Sequence, residues 1–321
     1  MEKRTLGHSG LRVSNIAFGG NVLGWTADET TSFHILDAFV AAGGNFIDTA
    51  DVYSRFVPGH QGGESEIVLG KWMKARGNRD QVIIATKVGG DMGPSGKGLS
   101  RKHIIASVEN SLRRLQTGHI DLYQSHFDDQ SVPQEETLAT YTELMKQGKV
   151  LAIGASNFTA DRLKQAFEVS KHYNYPHYAS LQPLYNLYDR ADYEQNLEQF
   201  CVQEGLGVIS YFSLASGFLS GKYRSVQDTE GKARGKIVQK YLNPAGLQLL
   251  DTIDEIATRY MATPTQISLA WLIARPSITA PIVSATSVKQ LNEIVKAADI
   301  KLDQGSLEAL NNASAKVVAL K

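Results

Sequence analysis

The run FIDTADVYS, Phe46 to Ser54, carries the residues best placed to do chemistry. Asp48 and Tyr53 stand five positions apart, where the apolar pair Phe46 and Ile47 gives way to polar residues. A tyrosine is a weak acid, with a pKa of about 10. It donates a proton near neutral pH only when a nearby cation and a buried setting tune it. Candidates for partners lie at matching places: Lys87 closes VIIATK and His126 closes HIDLYQSH. A charged lysine just after Ile83, Ile84 and Ala85 is costly in a core, but reasonable at a strand end facing a pocket. Each residue alone has an ordinary explanation. Tyr53 packs, Lys87 is a solvated strand end, His126 is a satisfied core histidine, and Asp48 caps a turn. Placement together, at the ends of three apolar runs, is what argues for one site. It requires those runs to be neighbouring parallel strands.

The rest of the chain supplies such strands. Short apolar runs predict strands near 16–18, 45–48, 82–87, 120–126, 151–155, 178–182, 207–211 and 280–283. Helical patterns fill the gaps, near 29–42, 64–76, 101–115, 134–147, 159–173, 190–204, 247–260 and 264–274, then 288–298 and 304–315. Ser100 and Thr159 stand where helix caps belong, and Gly43, Gly44 and Gly148 follow helix ends. Strands alternating with helices imply parallel βαβ units. Eight repeats without a composition break predict one closed (β/α)8 barrel domain over 1–321, with extra helices at its C-terminal end. RTLGHSGLRVS, with Gly7 and Gly10 about a turn, predicts a hairpin plugging the barrel floor. Gly19-Gly20 reads as a plain turn. Ser216 to Gly246, rich in Gly, Lys and Arg, reads as a long polar loop over the pocket.

Bulk properties remove several function classes. The 321 residues are enough for a large core, long for an ordinary domain and normal for an α/β barrel. Lys and Arg number 33, as do Asp and Glu, so no net positive charge favours nucleic acid as a partner. Cys201 is the only cysteine, which forbids an internal disulfide and fits a reducing cytoplasm. The opening MEKRTLGHSG lacks an apolar signal core, and no apolar run approaches the roughly 20 residues a membrane span needs. No His, Cys or Asp group has metal spacing, so no metal is expected; His172 and His177 read as exposed. Neither a P-loop nor the glycine fingerprint of doubly wound dinucleotide folds is present. Any cofactor must therefore be held by barrel loops.

The pieces GLRVSNIAFGG, FIDTADVYS with GGESEIVLG, IATKVGG, GLSRKHIIASVENSLRRLQTGHIDLYQSH, GKVLAIGASNF, LQPLYNLYDR, ISYFSLASGFLSGKY and PIVSATSVKQLNEI follow one another in order over nearly the whole chain. Together they resemble the aldo-keto reductases, above all bacterial members and the potassium-channel β-subunit branch. The resemblance implies hydride transfer from NAD(P)H to an aldehyde or ketone. It implies Tyr53 as general acid, Lys87 lowering the tyrosine's pKa, Asp48 holding the lysine, and His126 orienting the carbonyl oxygen. It implies Ser156, Asn157 and Gln182 at the cofactor's carboxamide and Tyr211 stacked on its ring. Leu214, Ser216 and Lys222 would meet the pyrophosphate; Ser284, Thr286, Gln290 and Glu293 the adenosine end. The family often has arginine near Ser287, gripping a 2′-phosphate, and asparagine at Ile294. Here both are missing, with Lys289 or Arg234 as substitutes. NADPH is the expected cofactor and NADH the alternative, and an arginine at position 287 is expected to tighten NADPH. Trp25, Phe56 and Phe127 are candidate walls of the pocket for a small carbonyl substrate. Two other functions stay open. One is a cofactor-binding regulatory module like the channel β-subunits, which the short N-terminus and full catalytic set disfavour. The other is a sugar or hydroxy-compound dehydrogenase working oxidatively. Oligomeric state is not legible.

Overall fold

A computed structural model describes residues 1–232 and 234–318. A hairpin opens the chain, β1 (Lys3–Thr5) paired antiparallel with β2 (Arg12–Ser14). Eight parallel strands follow: β3 (Ala17–Gly19), β4 (Phe46–Asp48), β5 (Ile83–Val88), β6 (Ile120–Ser125), β7 (Val150–Ser156), β8 (Ser180–Gln182), β9 (Gly207–Ser210) and β10 (Ala280–Val283). Each pairs with the next, and β10 returns to β3, so the barrel closes. The architecture is the (β/α)8 barrel that the alternating pattern predicts.

The helices begin where the sequence can satisfy their free N–H groups. Asp28 caps α1 (Glu29–Ala41), and Gly77 ends α2 (Glu64–Arg76) in the left-handed region. Ser100 caps α3 (Arg101–Leu115) and Thr159 caps α5 (Ala160–Tyr173), with α4 (Gln134–Lys146) between them. The expected helix at 190–204 contains a π turn, Tyr193–Leu197, before α6 (Glu198–Gln203). After the short α7 (Gly235–Val238) and α8 (Pro244–Arg259), α9 (Pro264–Ala274) starts with a full capping box: Thr263 and Gln266 bond reciprocally. Ser287 caps α10 (Val288–Val295), and α11 (Gln304–Val318) packs against α8.

Alternation along the strands divides the barrel. Outward residues such as Phe18, Ile47, Ile84, Tyr123, Ile153 and Val208 join the helices in the main core. Inward residues Ala17, Phe46, Ala85, Leu122, Ala152, Ile209 and Ala280 form an apolar floor with Leu6 and Val13 of the hairpin. The hairpin sits hard against that floor: a Cβ on Gly7, at φ +50°, would lie 2.0 Å from the Ala179 carbonyl oxygen. Arg4 stitches it to the far end of the chain through the carbonyls of Ile273 and Ile278, each at 3.0 Å.

Two expectations need correction. Gly19 is not in a plain turn. It ends β3 opposite Asp48, and any Cβ there would lie 2.6 Å from Ser284 Oγ, so close approach of β10 requires glycine. Nor is the stretch after Ser216 simply a polar loop. Phe218, Leu219, Val238 and Tyr241 are fully buried within it, and the rings of Phe218 and Tyr241 stack at 5.3 Å. Apolar residues too sparse to form a periodic pattern anchor a segment whose composition reads as solvent-exposed.

Candidate active site

Above the apolar floor the barrel interior turns polar. Asp48, the last residue of β4, is fully buried and receives four hydrogen bonds. Its Oδ2 accepts from Lys87 Nζ at 2.6 Å and from the Tyr53 hydroxyl at 3.2 Å. Its Oδ1 accepts from the side-chain amides of Gln182 at 2.8 Å and Gln124 at 3.2 Å. Lys87 Nζ also donates to the Thr49 carbonyl at 2.8 Å and reaches the Tyr53 oxygen at 2.8 Å. A buried cation costs several kcal/mol unless paired, and here a carboxylate, a carbonyl and a phenol oxygen surround it. The His126 ring lies edge-on to Tyr53, 6.1 Å between centroids. The four residues proposed from the three strand ends are thus gathered at the carboxyl ends of adjacent strands, β4, β5 and β6.

Burial, then the negative charge of Asp48, holds the Tyr53 phenol well above its ordinary pKa. The net environment therefore keeps the tyrosine protonated rather than drawing it down, as the neighbouring lysine alone suggested. Burial pulls Lys87 below its usual value, opposed by Asp48. His126 is lowered to about 3 by burial and by the charge of Lys87, so its imidazole is neutral at physiological pH.

A cavity of about 830 Å³ opens over this group. Of the catalytic, cofactor and pocket residues named from the sequence, Lys87, buried behind Tyr53, and Lys289 do not line it; the others do. Trp25 and Phe56 meet edge-to-face at 4.9 Å beside the tyrosine, and Phe127 stacks on His126 at 4.6 Å. Asn157, in a left-handed conformation at φ 56°, donates to the His126 carbonyl and the Ser156 hydroxyl and accepts from the Tyr211 hydroxyl at 2.8 Å. Ser156 in turn donates to the Gln182 carbonyl oxygen. Further along, Leu214, Ser216 and Lys222 line the wall, with Ser284 bonded to Asn21 and Thr286 to Gln290. Glu293 accepts from Thr263 at 2.7 Å.

The far end is cationic. Lys222, Lys232 and Arg234 line it, and none has a carboxylate within ion-pair distance among the described residues. Ser216 Oγ, at φ 59° and nearly buried, has no hydrogen-bond partner. Neither Ser287 nor Lys289 lines the cavity; the Ser287 hydroxyl is occupied in capping α10. Of the two substitutes considered for the missing arginine, Arg234 is the one facing the space. Lys232 and Asn21 were missed. The only signal for Lys232 was its closeness in sequence to Arg234, and Asn21 followed a glycine pair read as a turn.

A closed parallel barrel with this polar group at the carboxyl ends of its strands has the layout of a barrel enzyme's active site. Residues 15–315 match the Aldo/keto reductase family, and the chain belongs to that family. It is 34% identical to an uncharacterized oxidoreductase, YrpG, of Bacillus subtilis, over 97% of this chain and 95% of the relative. It is 32% identical to a probable voltage-gated potassium channel subunit beta of Oryza sativa (94% and 92%) and to an L-glyceraldehyde 3-phosphate reductase of Escherichia coli (92% and 87%). Members of the family are oxidoreductases that act on small carbonyl compounds and use nicotinamide cofactors. Among the described residues no helix is long and apolar enough to cross a membrane, and no cluster of metal-ligating side chains is found.

Proposed function

We propose that this protein reduces aldehydes or ketones to alcohols with NADPH, with NADH as the weaker alternative, and that Tyr53 is the general acid. One observation carries the reading: Lys87 Nζ stands 2.8 Å from the Tyr53 oxygen and 2.6 Å from Asp48, at the inner end of a cavity whose other end is cationic. The residues present suit a nicotinamide dinucleotide. Ser216 offers an unpaired hydroxyl, and Lys222, Lys232 and Arg234 offer charge that phosphates would neutralise.

When bound, that cofactor supplies the hydride. The chain does the rest. His126, neutral, holds the carbonyl oxygen by an N–H and helps bear its growing negative charge. Tyr53 gives its proton to that oxygen. Lys87 then stands against the phenolate oxygen, lowering the cost of a charge that burial would otherwise forbid. Asp48 fixes the lysine, and the two glutamine amides fix Asp48. The aromatic walls at Trp25, Phe56 and Phe127 favour apolar carbonyl compounds.

The test is a panel of aldehydes and ketones with each cofactor, read by nicotinamide absorbance, with cofactor binding titrated separately. Turnover that prefers NADPH supports the reading. Tight cofactor binding without turnover of any carbonyl would replace it by the regulatory-module reading.

A further inference from the structure

Asp51 is a buried carboxyl for which the mechanism so far has no use. It stands three residues after Asp48 and two before Tyr53, and only 1% of it is exposed. Its backbone N–H donates to the Lys87 carbonyl at 3.3 Å, which ties it to the exit of β5. Among the described residues its Oδ1 has no hydrogen-bond partner, and neither does the buried Tyr123 hydroxyl on β6, which feels the charge of Asp51 more than any other. The charged and titratable groups facing it come from every neighbouring element. They are Glu66 of α2, Arg114 of α3, Lys87 of β5, Tyr123 of β6 and Tyr141 of α4.

The one guanidinium in this set is committed elsewhere. Arg114 Nε donates to Glu66 Oε2 at 2.6 Å, and Thr86, next to Lys87, donates to Glu66 Oε1 at 2.6 Å. Glu66 thus takes the ion pair, and at Asp51 the charges of Arg114 and Lys87 offset only part of what burial and Glu66 impose. A buried carboxyl with an unpaired oxygen beside another carboxylate favours its neutral form. The segment above is tightly fitted: a Cβ on Gly62 would lie 2.9 Å from the Asp51 carbonyl oxygen, and one on Gly63 would lie 2.4 Å from Arg114 Cδ. The Tyr53 turn and the start of α2 therefore rest on this cluster.

We propose that Asp51 is a positioning residue for the Tyr53–Lys87 pair, active as the neutral acid and inhibitory once ionised. An unpaired negative charge placed behind the pair makes phenolate harder to form, so proton donation by Tyr53 slows. Burial and Glu66 raise the Asp51 carboxyl to about 8, which sets where the switch falls. The catalytic clause rests on the reductase reading given above; the claim that Asp51 is neutral does not.

The experiment compares the full chain with Asp51→Asn and Glu66→Gln. The first readout is thermal melting from pH 5 to 9, which needs no activity. A folded-state pKa raised above the unfolded value near 4 gives stability that is lost as pH rises from about 4 to about 8. The melting advantage of Asp51→Asn should therefore grow over that window and flatten above it. Parallel curves would overturn the neutral carboxyl. The second readout is the pH profile of 4-nitrobenzaldehyde reduction at saturating NADPH. The rate of the unaltered protein should fall about tenfold between pH 7 and 9. In Asp51→Asn that limb should move upward by at least one pH unit. In Glu66→Gln it should move downward, because the repelling charge is gone. A limb that stays put in Asp51→Asn assigns it to Lys87 and sinks the positioning role. Absence of turnover in the unaltered protein would count against the reductase reading, while the melting curves still decide the state of Asp51.

Discussion

The two ends of the cavity are built on opposite plans. At the inner end every hydrogen-bonding capacity of Asp48 is met within the protein, by Lys87, Tyr53, Gln124 and Gln182. At the outer end, among the described residues, Lys222, Lys232 and Arg234 lack carboxylate partners, and the Ser216 hydroxyl lacks any. The Asp48 network is complete before a ligand arrives, as electrostatic preorganisation requires. The other holds charge that only an anionic ligand completes. A change at the inner end should thus appear in the rate, and a change at the outer end in affinity.

The largest effect should come from Tyr53→Phe. It removes one hydroxyl, keeps the ring that lines the wall, and should lower carbonyl reduction by about 10²–10⁴-fold. Cofactor dissociation constants should stay within about threefold, because the hydroxyl's partners are Asp48 and Lys87. Near-normal turnover with chemistry shown to limit the rate would break the comparison at its inner end.

Arg234→Ala should do the reverse. Losing a charge-assisted contact to phosphate, worth about 1.5–3 kcal/mol, should weaken NADPH binding by about 10–150-fold. NADH should suffer less if the guanidinium meets a 2′-phosphate. Equal losses for both cofactors would move Arg234 to the shared pyrophosphate. Unchanged binding of both would remove it from the site.

The smallest effect concerns Ser287→Arg. From the sequence, tighter NADPH binding is expected. The geometry points the other way, since Ser287 caps α10 and does not line the cavity. The variant should lose about 1 kcal/mol of stability with the cap and gain little affinity. Calorimetric melting and an NADPH titration check both halves. A marked gain in NADPH affinity would show that position 287 reaches the phosphate after all.

The fold was legible because burial writes itself into sequence. A run such as Val82 to Ala85 is apolar over consecutive residues, as a strand covered on both faces must be. Ser100 and Thr159 marked helix starts by chemistry alone. The inner site was legible for a related reason: a lysine or aspartate directly after such a run has few places to go. The outer end was less so. Lys222, Lys232 and Arg234 belong to a segment with no period, and its position depends on Phe218, Leu219 and Tyr241 fitting specific hollows. The role of Gln182 in bonding Asp48 also escaped, because it depends on register across five strands, from Asp48 opposite Ala85 to Ser156 opposite Gln182. Asp51 was hidden in plain view inside FIDTADVYS, since sequence does not reveal which of two nearby carboxylates wins the only arginine.

The closure of the barrel has a consequence for how the chain is made. Phe18 pairs with Val283, and Arg4 bonds to Ile273 and Ile278. Synthesis at about 5–20 residues per second leaves the open edge of β3 waiting roughly 15–50 s for its last neighbour. Over that interval the first strands resemble an unfinished sheet, with unpaired backbone groups that any other strand can template. Ribosome-arrested chains ending before Ala280 should be cut readily by protease near the hairpin, and chains extended past Val283 should not. Equal resistance in both would mean that the early strands find shelter before the ring is complete. The hairpin that plugs the floor of the finished barrel thus leaves the ribosome before every barrel strand and should be among the last segments to find its seat.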